Sequence, residues 1–162
     1  MAKIKSIQID GENIVYFNSV IYLFHANSGC TLQLDIIVSE ITIKKYTDRE
    51  SHIIEVELEN GSLVTSFMTV NILPGRIPHL NFVSEVEDAD EYSELPAVHE
   101  NDLDFPDIEQ GITLEEIRKV EMPYEKVALK LTLPIDQAEW LQQKTKKELN
   151  AIFEELLEGS MK

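Results

Sequence analysis

Ile54 to Val70 reads IEVELENGSLVTSFMTV, and the fold turns on it. Ile54, Val56 and Leu58 alternate with Glu55, Glu57 and Glu59, the period-two pattern of a strand with one face in a core. Asn60-Gly61 follows, a dipeptide that readily takes the positive φ angles of a two-residue hairpin turn. Leu63 to Val70 is then the returning strand. A hairpin here predicts an antiparallel sheet, because antiparallel neighbours need only short connections whereas parallel ones need crossover helices.

The residues on either side extend the pattern. Toward the N-terminus, Ile4, Ile7 and Ile9 precede a turn at Asp10-Gly11, and Ile14 to Phe17 and Val20 to Phe24 carry the β-branched and aromatic content of strands. Asn27-Ser28-Gly29 signals another turn. Leu32, Leu34 and Ile36 alternate with Gln33 and Asp35, which predicts one face in the core and the other in water. Ile41 and Ile43 continue that alternation, and Lys44, Lys45 and Arg49 surround a polar connection. Toward the C-terminus, Pro74-Gly75 and Pro78 break the ladder before Leu80 to Val86 resumes it. The expected class is α+β: an antiparallel β-barrel or sandwich of about six to eight strands over residues 1–86, with a short helix and a long C-terminal helix further on.

Residues 87–111 form an acidic connector. Glu85 to Glu109 holds eleven Asp or Glu and no Lys or Arg, and so carries most of the net charge of −16. Pro96 and Pro106 forbid one continuous helix. Fully extended, the stretch spaces its charges at roughly 7 to 8 Å, against about 3.4 Å between phosphates on a DNA strand, too sparse for nucleic-acid mimicry unless other acids join it. Val86, Tyr92, Leu95, Val98, Leu103, Phe105 and Ile108 are spread through it, more apolar anchors than a plain linker carries. Three readings stand: docking on the protein's own sheet, a motif that folds on a partner, or a solvated loop.

Beyond Gly111, Thr113 with Glu116 three residues later is a capping-box pattern, and Leu114, Ile117 and Val120 give a short helix one apolar side before Pro123. Val127, Leu129, Leu131 and Leu133 alternate with Ala128, Lys130 and Thr132, the pattern of a strand. Asp136 and Glu139 then suit the start of one long helix, with Ile135 placed to staple against Trp140. Its apolar positions Ala138, Leu141, Leu149, Ile152, Phe153 and Leu156 recur to Gly159, a stripe of about 34 Å. A homodimer contact through this helix or the preceding strand is expected, within a single domain spanning 1–162.

Two resemblances accompany this reading. Closely spaced strands followed by a helix bearing Trp140 resemble a pleckstrin-homology-like barrel, which implies a phosphoinositide site at Lys44, Lys45 and Arg49. The strand Lys126 to Leu133, Pro134 and a helix resemble the start of a ribbon-helix-helix repressor, whose outward strand residues would here be Lys126, Ala128, Lys130 and Thr132. That second pattern departs from the family where no glycine turn divides the long helix, and the overall charge opposes DNA.

Composition narrows the function classes. Cys30 is the only cysteine, so no intramolecular disulfide forms and a multi-cysteine zinc module is excluded. The longest unbroken apolar run, Val20 to Phe24, is far short of the roughly 20 residues of a membrane helix. The chain reads as soluble and cytoplasmic. His25, His52, His79 and His99 lack metal-ligand spacing. Asp88, Asp90 and Glu91, or Asp102, Asp104 and Asp107, offer oxygen ligands to calcium without the glycine or closing glutamate of an EF-hand. No nucleophile elbow or phosphate-cradling glycine loop occurs, so neither enzyme activity nor a cofactor is expected. The expectation is a non-enzymatic interaction protein that binds a basic protein partner, not nucleic acid or membrane, through Asp102, Leu103, Asp104, Phe105, Asp107 and Ile108. Leu103 and Phe105 would anchor and the acids would steer. The rival is an assembly protein whose connector packs on its own sheet.

Overall fold

A computed structural model describes residues 3–75 and 77–161. Strands β1 (Ile4–Ile9), β2 (Glu12–Asn13), β3 (Asn18–Ala26), β4 (Gly29–Ile37), β5 (Ser51–Leu58), β6 (Leu63–Ile72), β7 (His79–Val86) and β8 (Ala97–His99) form one open sheet. Their order is β2-β1-β5-β6-β7-β4-β3-β8, and every pairing is antiparallel except β8 on β3. Helices α1 (Glu40–Tyr46), α2 (Leu114–Val120), α3 (Ile135–Gln142) and α4 (Lys146–Met161) make the class α+β. The chain divides into two compact units, one ending at Tyr124 and the other beginning at Glu125.

In the first unit the alternation of each strand lines up across the sheet. Val56 of β5 faces Val64 of β6, Leu34 of β4 faces both Phe82 of β7 and Ile21 of β3, and Leu32 faces Leu23. With Ile7 and Ile9 of β1 these make one buried cluster. β1 and β3 stand near opposite ends of the strand order yet touch, so the twisted sheet curls around its own apolar face. It ends in strands of two and three residues, which cover only Gln8 and Ile9 of β1 and Leu23, Phe24 and His25 of β3.

Two glycine turns exchange the roles expected of them. The two-residue hairpin is Asp10-Gly11: Ile9 pairs with Glu12, and both turn residues have positive φ, 52° and 85°, as a type I′ turn requires. At Asn60-Gly61 only Gly61 is left-handed, at φ 92°. Gly61 N–H donates to Leu58 O and Leu58 N–H to Ser62 O, both at 2.9 Å. That is a three-residue loop in which glycine supplies the bulge position, while Asn60 Oδ1 accepts Ser62 N–H at 2.9 Å.

Other expectations are corrected. Ile41 and Ile43 lie on α1, not a strand: Ser39 Oγ caps it by accepting Thr42 N–H, Glu40 is in the first turn, and Lys44 and Lys45 are in the last, a charge order that suits the helix dipole. Ile14 to Phe17 connects β2 to β3 without forming a strand. The Gln33 and Asp35 face of β4 is not in water, since Asp35 is buried. Val127 to Leu133 forms no strand, because a strand needs a neighbour's backbone groups and among the described residues none pairs with this segment. The long helix is two helices, broken at residues 143–145, so the order of segment, helix, turn and helix that the ribbon-helix-helix comparison lacked is present without a glycine. Helix α3 starts at Ile135 behind Pro134 with no side-chain cap, which displaces Asp136 and Ile135 from the roles of cap and staple. The expected short helix is α2, with Thr113 Oγ1 accepting Glu116 N–H at 3.2 Å.

Candidate interaction site

The acidic connector is fastened at both ends and free in the middle. At its near end Leu95 enters the inner cluster, and Glu94 accepts hydrogen bonds from Asn60 Nδ2 and Ser62 Oγ at the β5–β6 turn, 3.2 and 3.1 Å. β8 then adds to β3, with Leu23 N–H donating to Pro96 O and Glu100 N–H to His25 O. This pairing stacks the His25 and His99 rings with centroids 4.9 Å apart. At the far end Ile108 is buried with Val20, Tyr22, Ile37, Val98 and Ile117 on the outer face of the sheet, and Asn18 Nδ2 donates to Ile108 O at 3.0 Å.

Between these anchors lie the residues singled out from sequence. Leu103 is 99% exposed and Phe105 50%. Phe105 leans on Phe24 with ring centroids 6.1 Å apart. Asp102 Oδ2 accepts His99 N–H at 2.8 Å, and Asp107 Oδ1 accepts Glu109 N–H at 3.1 Å, the local bonding by which Asp shapes turns. Asp104 is exposed. The structure therefore brings Asp102, Leu103, Asp104, Phe105 and Asp107 onto one loop and removes Ile108 to the protein's own core.

A buried polar cluster under the far anchor escaped sequence reasoning. Asp35 accepts from Tyr22 OH at 2.9 Å and from Asn81 Nδ2 at 2.7 Å. His79 Nε2 lies 3.5 Å from Asp35 Oδ1, and His79 Nδ1 lies 3.7 Å from Glu109 Oε2. These separations are long for hydrogen bonds, and both ring nitrogens are buried without a hydrogen-bond partner, so the attraction is mainly of charge. Burial opposes charging of His79, but Asp35 and then Glu109 outweigh it and raise its pKa above 6.5. Burial, and then the Asp35 charge, push the Tyr22 hydroxyl pKa up. A Cβ at Gly75 would sit 2.7 Å from Glu109 Oε1, so a side chain there would make the Glu109 carboxylate shift.

Carboxylates stand beside two of the three cations of the phosphoinositide site implied by the barrel resemblance. Lys45 is paired with Glu12, and Asp10 and Asp48 share a hollow of about 300 Å³ with Arg49. Among the described residues no three His, Cys, Asp or Glu side chains are placed to hold a metal ion, and no helix is long and apolar enough to cross a membrane.

The second unit presents a different surface. From Glu125 to Met161 no described residue is buried. Residues 122–133 neither donate nor accept a backbone hydrogen bond among the described residues. Leu131 and Leu133 continue into an apolar groove of about 490 Å³ between α3 and α4, whose walls include Trp140, Leu141, Ile152 and Leu156. The helices are separated by a cap that the sequence does signal: Thr145 Oγ1 accepts Glu148 N–H at 3.2 Å, the same Thr-x-x-Glu spacing as at Thr113. Comparison of the chain with protein families, with characterised proteins and with solved structures finds no match.

Proposed function

We propose that this chain is a non-enzymatic interaction protein in which the loop of residues 100–107 presents acids and two apolar side chains to a basic protein partner. The observation that carries the reading is Leu103, a large apolar residue 99% exposed between Asp102 and Asp104. An apolar anchor ringed by like charges suits a partner that brings both a pocket and cations: burial of Leu103 supplies affinity, and the carboxylates supply orientation and encounter rate. The flanking anchors hold the loop ends in place, which lowers the ordering cost on binding. The structural rival, a connector that pads its own sheet, is supported by the burial of Leu95, Val98 and Ile108, and it accounts for the ends of the connector rather than its middle.

The test is capture from lysate by wild type and by a variant with Glu100→Gln, Asp102→Asn, Asp104→Asn, Asp107→Asn and Leu103→Ser. The captured protein is then purified and titrated at low and moderate salt. A basic protein held by the wild type alone, with affinity falling as salt rises, supports the reading. Equal capture by both proteins overturns it.

A further inference from the structure

The β3–β4 hairpin and β8 bring together three side chains that the sequence keeps apart. His25 of β3 is opposite Cys30 of β4 on one side and beside His99 of β8 on the other. Residues abreast on neighbouring strands share a face, so two imidazoles and the thiol of Cys30 form one row, with neighbours about 4.8 Å apart along the sheet. Ala26 pairs with Gly29 immediately beyond His25 and Cys30, so the ladder, rather than a loop, holds both of these backbones in place. Cys30 packs against the inner cluster, and His99 at the other end of the row is exposed. The row therefore runs from the edge of the core to solvent.

The His25 and His99 rings stack, with centroids 4.9 Å apart and planes 21° from parallel. Stacked rings do not aim their nitrogens at one point, and in this arrangement no three donors among the described residues converge. Tetrahedral bonds of about 2.0–2.1 Å set two ligand nitrogens about 3.4 Å apart, so a tilt that brings one nitrogen of each ring about 1.5 Å closer makes the pair a chelate. The exposed His99 ring can turn about its side-chain bonds without displacing the core.

We propose that His25, His99 and Cys30 bind one zinc ion, with water completing a tetrahedral site. Imidazole nitrogens and a thiolate are the donors zinc takes, whereas calcium and magnesium take oxygen. On binding, the Cys30 thiol loses its proton to solvent and Sγ becomes the ligand. Burial pushes the pKa of that thiol up, so the affinity rises with pH. Because the ligands come from β8, β3 and β4, the ion fastens β8, and with it the acidic connector, to the sheet.

Calorimetric titration of the chelator-treated full chain with zinc is expected to give one site per chain, and zinc is expected to raise the thermal midpoint, since it binds the folded sheet. Calcium and magnesium should not compete. Cobalt(II) in place of zinc is expected to give a thiolate-to-cobalt charge-transfer absorption that is absent from Cys30→Ser. His99→Ala, a change at an exposed position, should leave the metal-free protein folded and lower zinc affinity by more than the roughly 10–100-fold that loss of a supporting outer residue costs. His79→Gln, on another strand and outside the row, should keep full affinity. Zinc that neither binds nor raises the midpoint overturns the proposal. So does an affinity unchanged in His99→Ala or lost in His79→Gln, either of which would place the ion elsewhere. A cobalt complex without the charge-transfer absorption overturns the part assigned to Cys30.

Discussion

Glu109 Oε2 stands 3.7 Å from His79 Nδ1, and that approach ties the end of the acidic connector to the outer face of the sheet. His79 has Asp35 on its other side, and its pKa is raised. A raised folded-state pKa contributes stability that is fully present below the unfolded value, about 6.5, and is lost as pH rises through the folded value. The thermal midpoint of the wild type is therefore expected to fall by a few degrees from about pH 6 to about pH 8, and the slope to flatten in His79→Gln. Glu109→Gln should flatten it only in part, since Asp35 remains. Equal slopes in wild type and His79→Gln would show that the ring does not hold the connector through its charge.

Leu103 and Ile108 are five residues apart on one segment and should respond oppositely to truncation. Ile108→Ala opens a cavity among Val20, Tyr22 and Ile117 and is expected to cost about 2–5 kcal/mol. Leu103→Ala removes a side chain already in water and should stay within about 0.5 kcal/mol of wild type. Urea unfolding at neutral pH checks both. A large loss at Leu103 would mean that the loop packs on the protein and is not free for a partner.

The contrast between those two residues also marks how far the sequence is legible. Alternation at Ile54, Val56 and Leu58 and the cap at Thr113 and Glu116 are local patterns with local causes, and both are realised. Ile41 and Ile43 mislead because spacing two apart fits a strand, whereas Ser39, Glu40 and the paired lysines carry the stronger helix-end chemistry. At residues 127–133 the alternation is present, but pairing is a property of two segments, and among the described residues none pairs with it. Ile108 and Leu103 have the same apolar character. Val20, Tyr22 and Ile37, about 70 or more positions away, make much of the site that buries Ile108 and not Leu103. The His79, Asp35 and Glu109 cluster has no spacing signal at all, because β4 and β7 become neighbours only in the folded sheet.

Asp10 does two jobs in the Asp10-Gly11 turn. It holds φ at 52°, and its carboxylate meets His52 Nδ1 at 2.6 Å and accepts Ile53 N–H at 2.9 Å. The hydrogen bond to His52 lowers the Asp10 pKa, against the opposing effect of burial. A lowered carboxylate pKa contributes stability present above the unfolded value, about 3.9, and lost as pH falls through the folded value. Asp10→Ala is expected to cost about 1–3 kcal/mol at neutral pH by leaving Nδ1 of the buried His52 without its partner, while Nε2 keeps Tyr46 O. Asp10→Asn should cost less and should show a shallower loss of stability between about pH 4 and about pH 2. Denaturant midpoints across that range are the measurement.

Thr145 is expected to decide whether α4 forms as a separate helix. Its hydroxyl accepts Glu148 N–H, and its carbonyl accepts Leu149 N–H at 3.0 Å, so it satisfies two of the first turn's donors. None of the described residues of α4 is buried, so within one chain local terms carry more of its stability than they would in a packed helix, and helices of this length are marginal on local terms alone. Loss of a threonine cap costs about 1 kcal/mol, which is enough to fray the first turn without touching the sheet. Thr145→Ala should therefore lower the helical circular dichroism signal while leaving the main unfolding midpoint unchanged. Thr145→Asp should restore the signal, because a carboxylate both caps and complements the positive end of the helix dipole. Lys146→Ala, one position on and outside the cap, serves as the control. A helical signal unchanged in Thr145→Ala would mean that contacts along the apolar stripe, rather than the cap, determine where α4 begins.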